Sequence, residues 1–105
     1  EIDGIHVPTP PDHISHAYYR LTVIFDDSDE RDRVAQHLNS VGVPAAVGPC
    51  PEIYREKAFV DLGLAPSSSL PVAANLGERS MVLPVHPGME SALGFIIDHI
   101  ATPCA

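Results

Sequence analysis

The residue types most suited to chemistry lie at two proline-bound corners of this chain. His86 stands between Pro84 and Pro87 in the stretch LPVHPG. Proline fixes its own φ angle and restricts the residue before it, so an imidazole at this corner would have a nearly fixed position. A rigidly placed histidine suits the edge of a substrate site, although a lone loop histidine more often only decorates a turn. Spacing alone does not decide between these two interpretations.

The second corner is the run Gly48–Pro51, which places Cys50 between two prolines and just ahead of Glu52, Tyr54 and Arg55. A cysteine activated by a histidine would be a nucleophile, but nothing in the spacing brings any of the six histidines to Cys50. Glu52 with its neighbours can form a polar cluster, and surface salt bridging explains the same residues equally well.

Metal binding finds little support in the sequence. His13 and His16 are three residues apart, but no second pair of ligands accompanies them. The acidic run DDSDE at 26–30 lacks the glycine and glutamate that an EF-hand loop requires at its sixth and twelfth positions. We therefore interpret this run as the start of a helix, with Ser28 or Asp29 as the cap.

The sequence predicts strands and helices that alternate along the chain and that hold the two corners. The strongest strand is AYYRLTVIF, which is rich in aromatic and β-branched residues. Apolar spacing, proline and glycine predict the other elements, which are a helix from 28 to about 41, an edge strand over 43–47, a short helix over 53–62, a helix over 71–79, a strand over 80–83 and a helix over about 90–101.

Residues at helical spacing mark one face of each longer helix. Gly42 is expected to end the first helix, and Ser69 is available to cap the helix that begins at Pro71. The predicted buried stripe of the first helix is Val34, Leu38 and Val41, and the amphipathic stripe of the last helix is Leu93, Ile96, Ile97 and Ile100. In the helix over 71–79, spacing places Val72, Leu76 and Arg79 on one side.

Together these elements predict an α+β fold. We expect a two-layer sandwich in which a small, mostly antiparallel sheet of about three strands is packed by helices on one face. Residues 1–16 contain three prolines and no useful periodicity, which indicates an extended lead-in or linker. Residues 17–101 then form the domain, and residues 102–105 form a tail.

The amino-acid composition argues against some classes of binding partner. The 105 residues have a net charge of −8, which argues against nucleic acid and anionic membranes, because both require a basic face. The sequence has no apolar run long enough for a membrane span and no secretory signal at its start. Cys50 and Cys104 do not make a disulfide framework, and we expect free thiols in a reducing cytoplasm.

Three stretches resemble one enzyme family. They are IDGIHVPTPPDHISHAYYRLTVIF, RDRVAQHLNSVGVPAAVGPCPEIYREKAFVDLG and LPVAANLGERSMVLPVHPGM. In this order they are similar to the C-terminal small domain of the DegT/DnrJ/EryC1/StrS aminotransferases. The third stretch is the most specific, because the family helix begins with "PVA" and its strand ends with "LP", one variable residue, and then "HP" or "YP".

The resemblance implies a fold-type I enzyme that uses pyridoxal 5′-phosphate (PLP), acts on nucleotide-linked keto sugars and forms a homodimer. The residues that hold PLP in the family belong to a large N-terminal domain. This chain alone is therefore expected to bind no cofactor and to have no activity. Lys57, the only lysine, falls in a surface helix of the small domain and is not expected to bind PLP.

The same resemblance assigns the chain a place beside the substrate. The small domain closes over the active-site cleft, and the positions expected near the substrate are His86, Pro49, Cys50, Glu52 and Tyr54. Many relatives carry a pair such as "HYP" at the first corner, where this chain has Gly48-Pro49-Cys50-Pro51. The expected partners are the large PLP-binding domain, on the same or a separate chain, and a small-molecule substrate.

Two other hypotheses stay open from the sequence. The chain can be a free-standing ligand-binding or regulatory module with this fold and no enzymatic activity. It can also be a small independent enzyme that uses Cys50 or His86, and this hypothesis requires activity that is lost when either residue is replaced by alanine. An exposed apolar surface on the folded chain separates the aminotransferase domain from the self-contained module.

Overall fold

The computed structural model of the protein describes residues 2–48 and 51–102. Its elements in chain order are β1 (Ile5–His6), β2 (Arg20–Phe25), α1 (Ser28–Ser40), β3 (Ala46–Val47), a 3-10 turn (Ile53–Arg55), α2 (Lys57–Asp61), α3 (Pro71–Arg79), β4 (Ser80–Pro84), a second 3-10 turn (Pro87–Ala92) and α4 (Leu93–Ala101).

The four strands form one antiparallel sheet in the order β1-β2-β4-β3. This confirms the predicted α+β class, with one strand more than expected. The additional strand is β1, which pairs Ile5 with Phe25 and lies within the stretch interpreted as a lead-in. The predicted edge strand is present as β3, which pairs Ala46 with Val82 of β4.

The main core lies between one face of the sheet and helices α1 and α4. Val23 of β2 is paired in register with Met81 of β4, and both side chains are buried. Alternation along the two strands places Phe25 and Leu83 on the same face. The helices contribute the rest of the cluster, which includes Val34, Leu38, Ile96 and Ile100.

Helix α1 begins and ends with the signals that the sequence contains, although its cap is one residue earlier than predicted. The side chain of Asp27 accepts a hydrogen bond from the Glu30 N–H at 2.9 Å, so Asp27 is the cap rather than Ser28 or Asp29. At the other end Gly42 has a φ of +86°, which glycine adopts without a steric penalty.

A buried arginine joins α1 to the start of β4. The side chain of Arg31 is 8% exposed, and its guanidinium donates to the carbonyl oxygens of Ser80 at 2.9 Å and Gly77 at 3.3 Å. Its Nε also donates to Asp32 at 2.6 Å. Arg31 therefore fixes the junction between α3 and β4 against α1.

Helix α3 has its predicted bounds, but two of the three residues at helical spacing on one side are exposed. Val72 is 72% exposed and Leu76 is 38% exposed, whereas Arg79 is partly buried. The other partly buried positions are the small residues Ala73, Ala74 and Gly77, and at Gly77 an added Cβ would lie 2.6 Å from Cγ of Pro51. Close approach of the backbone, rather than a stripe of large apolar side chains, determines how this helix packs.

The last helix also exposes part of its predicted stripe. Ile96 and Ile100 are buried, but Leu93 and Ile97 are 50% and 53% exposed. The helical segment is divided between the 3-10 turn Pro87–Ala92 and α4. Within residues 2–48 and 51–102, no helix has the length and apolar character that crossing a bilayer requires.

Candidate functional site

His86 lies where β4 ends and the second 3-10 turn begins. It caps this turn, because its Nδ1 accepts a hydrogen bond from the Gly88 N–H at 2.9 Å. Since a backbone N–H can only donate, Nδ1 carries no proton, and the neutral ring has its N–H at Nε2. The proline-bound corner therefore gives His86 a defined structural role and leaves one ring N–H to donate.

An apolar groove of about 380 Å³ runs beside His86. Its walls come from β2, β4, the second 3-10 turn and α4, and its lining residues are Leu21, Leu83, Pro84, Val85, His86, Met89, Glu90, Leu93, Ile96, Ile97 and Ile100. The half-exposed side chains of Leu93 and Ile97 belong to this groove. An exposed concave surface of this kind commonly contacts another protein surface or an apolar ligand.

A second group of polar side chains surrounds Glu52, just after the first corner. The Tyr54 hydroxyl donates to Glu52 Oε1 at 2.5 Å, and the Ser69 hydroxyl donates to the same oxygen at 2.9 Å. The other carboxylate oxygen, Oε2, accepts from Arg55 at 3.2 Å. The Leu70 N–H donates to the Tyr54 hydroxyl at 2.9 Å, which holds the start of α3 to this cluster.

Hydrogen bonds favour the ionised form of the Glu52 carboxyl group. The Tyr54 hydroxyl is the largest cause of a lowered Glu52 pKa, followed by the Ser69 hydroxyl, and both bonds favour the charged carboxylate. The Glu52 side chain is 20% exposed. It is an oriented anion that can accept a hydrogen bond from a hydroxyl or amino group of a ligand.

A pocket of about 420 Å³ borders this cluster. Tyr54, Arg55 and Val60 form one wall, and residues 65–69 form the other. Ser69 was expected to cap α3, but the cap residue is Leu70 and no side chain makes the cap bond. The Ser69 hydroxyl instead contacts Glu52, across 17 residues of sequence.

The two candidate regions lie at opposite ends of β4. The Gly48 N–H donates to the carbonyl oxygen of Ser80, where β4 begins, and His86 follows the end of this strand. Six residues of extended chain cover about 20 Å. The pockets beside Tyr54 and His86 share no lining residue. The structure therefore brings Glu52 and Tyr54 together and leaves His86 apart from them.

Two of the predicted site residues, Pro49 and Cys50, lie outside the described residues, as does Cys104. The described part of the chain contains no group of three or more ligand side chains placed to hold a metal ion. No pattern in the sequence indicates Ser69 as a partner of Glu52, because only the folded loop brings the two residues together.

The residues of this chain do not fit a PLP-binding role. PLP-dependent transamination requires a lysine whose amine can bond to the cofactor. Lys57 is the only lysine, its side chain is 86% exposed on α2, and its ammonium group pairs with Asp61 one turn away. Lys57 lines none of the three pockets described in this chain.

Comparison with known proteins gives a consistent result. The sequence profile of the DegT/DnrJ/EryC1/StrS aminotransferase family matches residues 1–100. No curated protein matches the sequence. A similar solved structure is the aminotransferase TlmJ from Streptoalloteichus hindustanus, with a TM-score of 0.80 and 26% identity over 97% of this chain.

Two further aminotransferase structures are similar. The enzyme from Psychrobacter cryohalolentis has a TM-score of 0.71 and 41% identity over 82% of this chain. A DegT DnrJ EryC1 StrS aminotransferase from Brucella abortus has a TM-score of 0.74 and 26% identity over 93% of this chain. The aligned part is 26%, 23% and 26% of the TlmJ, Psychrobacter and Brucella chains, so this chain spans about a quarter of their length.

Proposed function

The chain belongs to the DegT/DnrJ/EryC1/StrS aminotransferase family, and we propose that it is the C-terminal small domain of a PLP-dependent aminotransferase. Residues 17–101 form the body of this domain, residues 1–16 lead into it and add β1 to its sheet, and residues 102–105 are its tail. It closes over a substrate site that it shares with a large PLP-binding domain in a cytoplasmic homodimer. The substrate is a nucleotide-linked keto sugar or a related keto compound.

One observation carries this proposal. Nearly the whole chain matches the family, yet the chain spans only about a quarter of the length of the similar aminotransferases of known structure. The surface of the chain supports it. Its accessible area is 7375 Å², whereas a compact monomer of 11.3 kDa exposes about 5,700 Å². The excess is larger than the ~800 Å² that one partner contributes to an interface of standard size.

The proposed role of the domain is to shape the site rather than to break bonds. Closure of a small domain excludes water and completes the wall of a cleft. In this role Glu52, oriented by Tyr54, accepts a hydrogen bond from a hydroxyl or amino group of the substrate. His86, Pro49 and Cys50 are the other positions proposed near the substrate.

The apolar groove beside α4 is proposed to contact the large domain. Its exposed leucine and isoleucine side chains are otherwise unfavourable in water. We expect the folded chain to bind an apolar fluorescent dye strongly and the double variant Leu93→Gln/Ile97→Gln to lose most of this signal. Because both residues are half exposed, the double variant should keep its circular dichroism spectrum.

A matched control lies directly after α2 in the chain. Leu62 and Leu64 are 72% and 66% exposed and do not line the groove. The double variant Leu62→Gln/Leu64→Gln should keep the dye signal of the unmodified chain. A folded chain that binds little dye would contradict the proposal and favour a free-standing ligand-binding or regulatory module.

A further inference from the structure

A third pocket, of about 270 Å³, lies between the lead-in and the start of β2. It is lined by Pro8, Thr9, Pro10, His16, Tyr18, Arg20, Leu21 and Thr22. None of these eight residues is acidic, although the sequence has 14 Asp and Glu against six Lys and Arg. The lining of this pocket therefore lacks the negative charge that the chain carries overall.

Arg20 gives this pocket an available positive charge. Of the basic residues, Arg31, Arg33, Arg55 and Lys57 each pair with a carboxylate, and Arg79 donates to Asn75 and to the Phe25 carbonyl. Arg20 has no ion pair and no side-chain hydrogen bond within residues 2–48 and 51–102. Its guanidinium lies 5.6 Å from the centre of the Tyr19 ring, a contact that uses none of its N–H donors.

His16 supplies a second donor. Its Nδ1 accepts a hydrogen bond from the Tyr18 N–H at 2.8 Å, so the neutral ring carries its proton at Nε2. The Thr22 hydroxyl lies two residues after Arg20 on β2, and alternation places both on one face of the strand. Proteins bind an oxyanion through hydrogen-bond donors, and these donors are available when no carboxylate of the protein already accepts from them.

Tyr18 supplies a flat ring in a strained position. Its φ of +46° is the only positive value among the described residues other than glycine. Such a backbone conformation is unfavourable for a bulky side chain, and it persists where neighbouring contacts hold it, often at a binding site. The His16 ring lies 4.5 Å from the Tyr18 ring, measured between centroids.

We propose that this pocket binds a small ligand in which an oxyanion is attached to a flat ring. The anion pairs with Arg20 and accepts from His16 and Thr22, while the ring packs against Tyr18. This site goes beyond the proposed function and does not depend on it. Apart from Leu21, which also lines the apolar groove, its residues are distinct from Glu52, Tyr54 and that groove.

The test uses the ¹⁵N-labelled chain and three probes, which are phenyl phosphate, inorganic phosphate and phenol. We expect phenyl phosphate to bind more tightly than either other probe and to shift the amide signals of Thr9 and of residues 16–22. Arg20→Gln should weaken phenyl phosphate binding at least tenfold, whereas Arg33→Gln, an exposed arginine outside the pocket, should leave it unchanged.

A second variant separates the ring from the anion. Tyr18→Gly keeps the positive φ without strain, so it removes the ring while the backbone conformation is retained. It should weaken phenyl phosphate binding and leave inorganic phosphate binding unchanged. Any of three results would overturn the proposal. The first is an equal loss of phenyl phosphate affinity in Arg20→Gln and Arg33→Gln, the second is amide signal shifts outside the pocket, and the third is equal affinity for phenyl phosphate and inorganic phosphate. None of these outcomes bears on the assignment as a small domain.

Discussion

Arg31→Met is expected to destabilise the folded chain by about 2–3 kcal/mol, because hydrogen bonds from a buried charged donor contribute on this scale. Methionine keeps most of the apolar stem but cannot donate to the carbonyl oxygens of Ser80 and Gly77. The Gly77 and Ser80 carbonyls lie where α3 becomes β4, so the loss would loosen α3 from α1. Urea unfolding measures the change.

Arg33 provides the matched control two residues away on the same helix. Its side chain is 54% exposed, and among the described residues its one ion-pair partner is Glu30 at 3.2 Å. Arg33→Met should change the free energy of unfolding by no more than about 0.5 kcal/mol, because exposed ion pairs contribute little. Equal losses in the two variants would show that Arg31 is not a buried tie between α1 and β4.

Tyr54→Phe is expected to raise the pKa of Glu52 toward the ordinary glutamate range, since the Tyr54 hydroxyl is the largest cause of its lowering. The variant also leaves the Leu70 N–H without its acceptor. A ¹³C NMR titration of the Glu52 carboxyl group measures the pKa, and hydrogen exchange at Leu70 reports on the loop.

The direction of the pH effect follows from the lowered pKa. A carboxylate with a depressed folded-state pKa contributes stability above its unfolded-state pKa, and this contribution is lost as the pH falls through the folded-state value. The stability difference between the unmodified chain and Tyr54→Phe should therefore be larger at pH 7 than in acid. Tyr19→Phe is the control, because Tyr19 is 84% exposed. An unchanged Glu52 pKa in Tyr54→Phe would contradict the arrangement described for this corner.

Local signals in the sequence predicted the elements well. Proline at the first turn and the apolar strand that follows predicted α3 over Pro71–Arg79 and a strand from Ser80. Spacing placed Val72 and Leu76 of α3 on one side, but it did not indicate whether that side faces the core. Both side chains are exposed in the structure.

Contacts between distant residues could not be predicted. The burial of Arg31 depends on carbonyl groups 46 and 49 residues away, and a charged residue in a helix is ordinarily solvent-exposed. The hydrogen bond between Tyr54 and Glu52 could be predicted from the sequence, because the two residues are only two positions apart. The contact of Ser69 with Glu52 depends on how the loop before α3 folds back. The roles of His86, Pro49, Cys50, Glu52 and Tyr54 toward a substrate stay predictions.

The central claim is that this chain is the small domain of a PLP-dependent aminotransferase. The most direct test is the intact mass of the polypeptide as its source makes it, measured together with the visible absorption spectrum of the same sample. We expect a polypeptide several times heavier than 11.3 kDa with the yellow absorption of enzyme-bound PLP. A stable, colourless polypeptide of about 11.3 kDa would contradict the claim and leave a binding module.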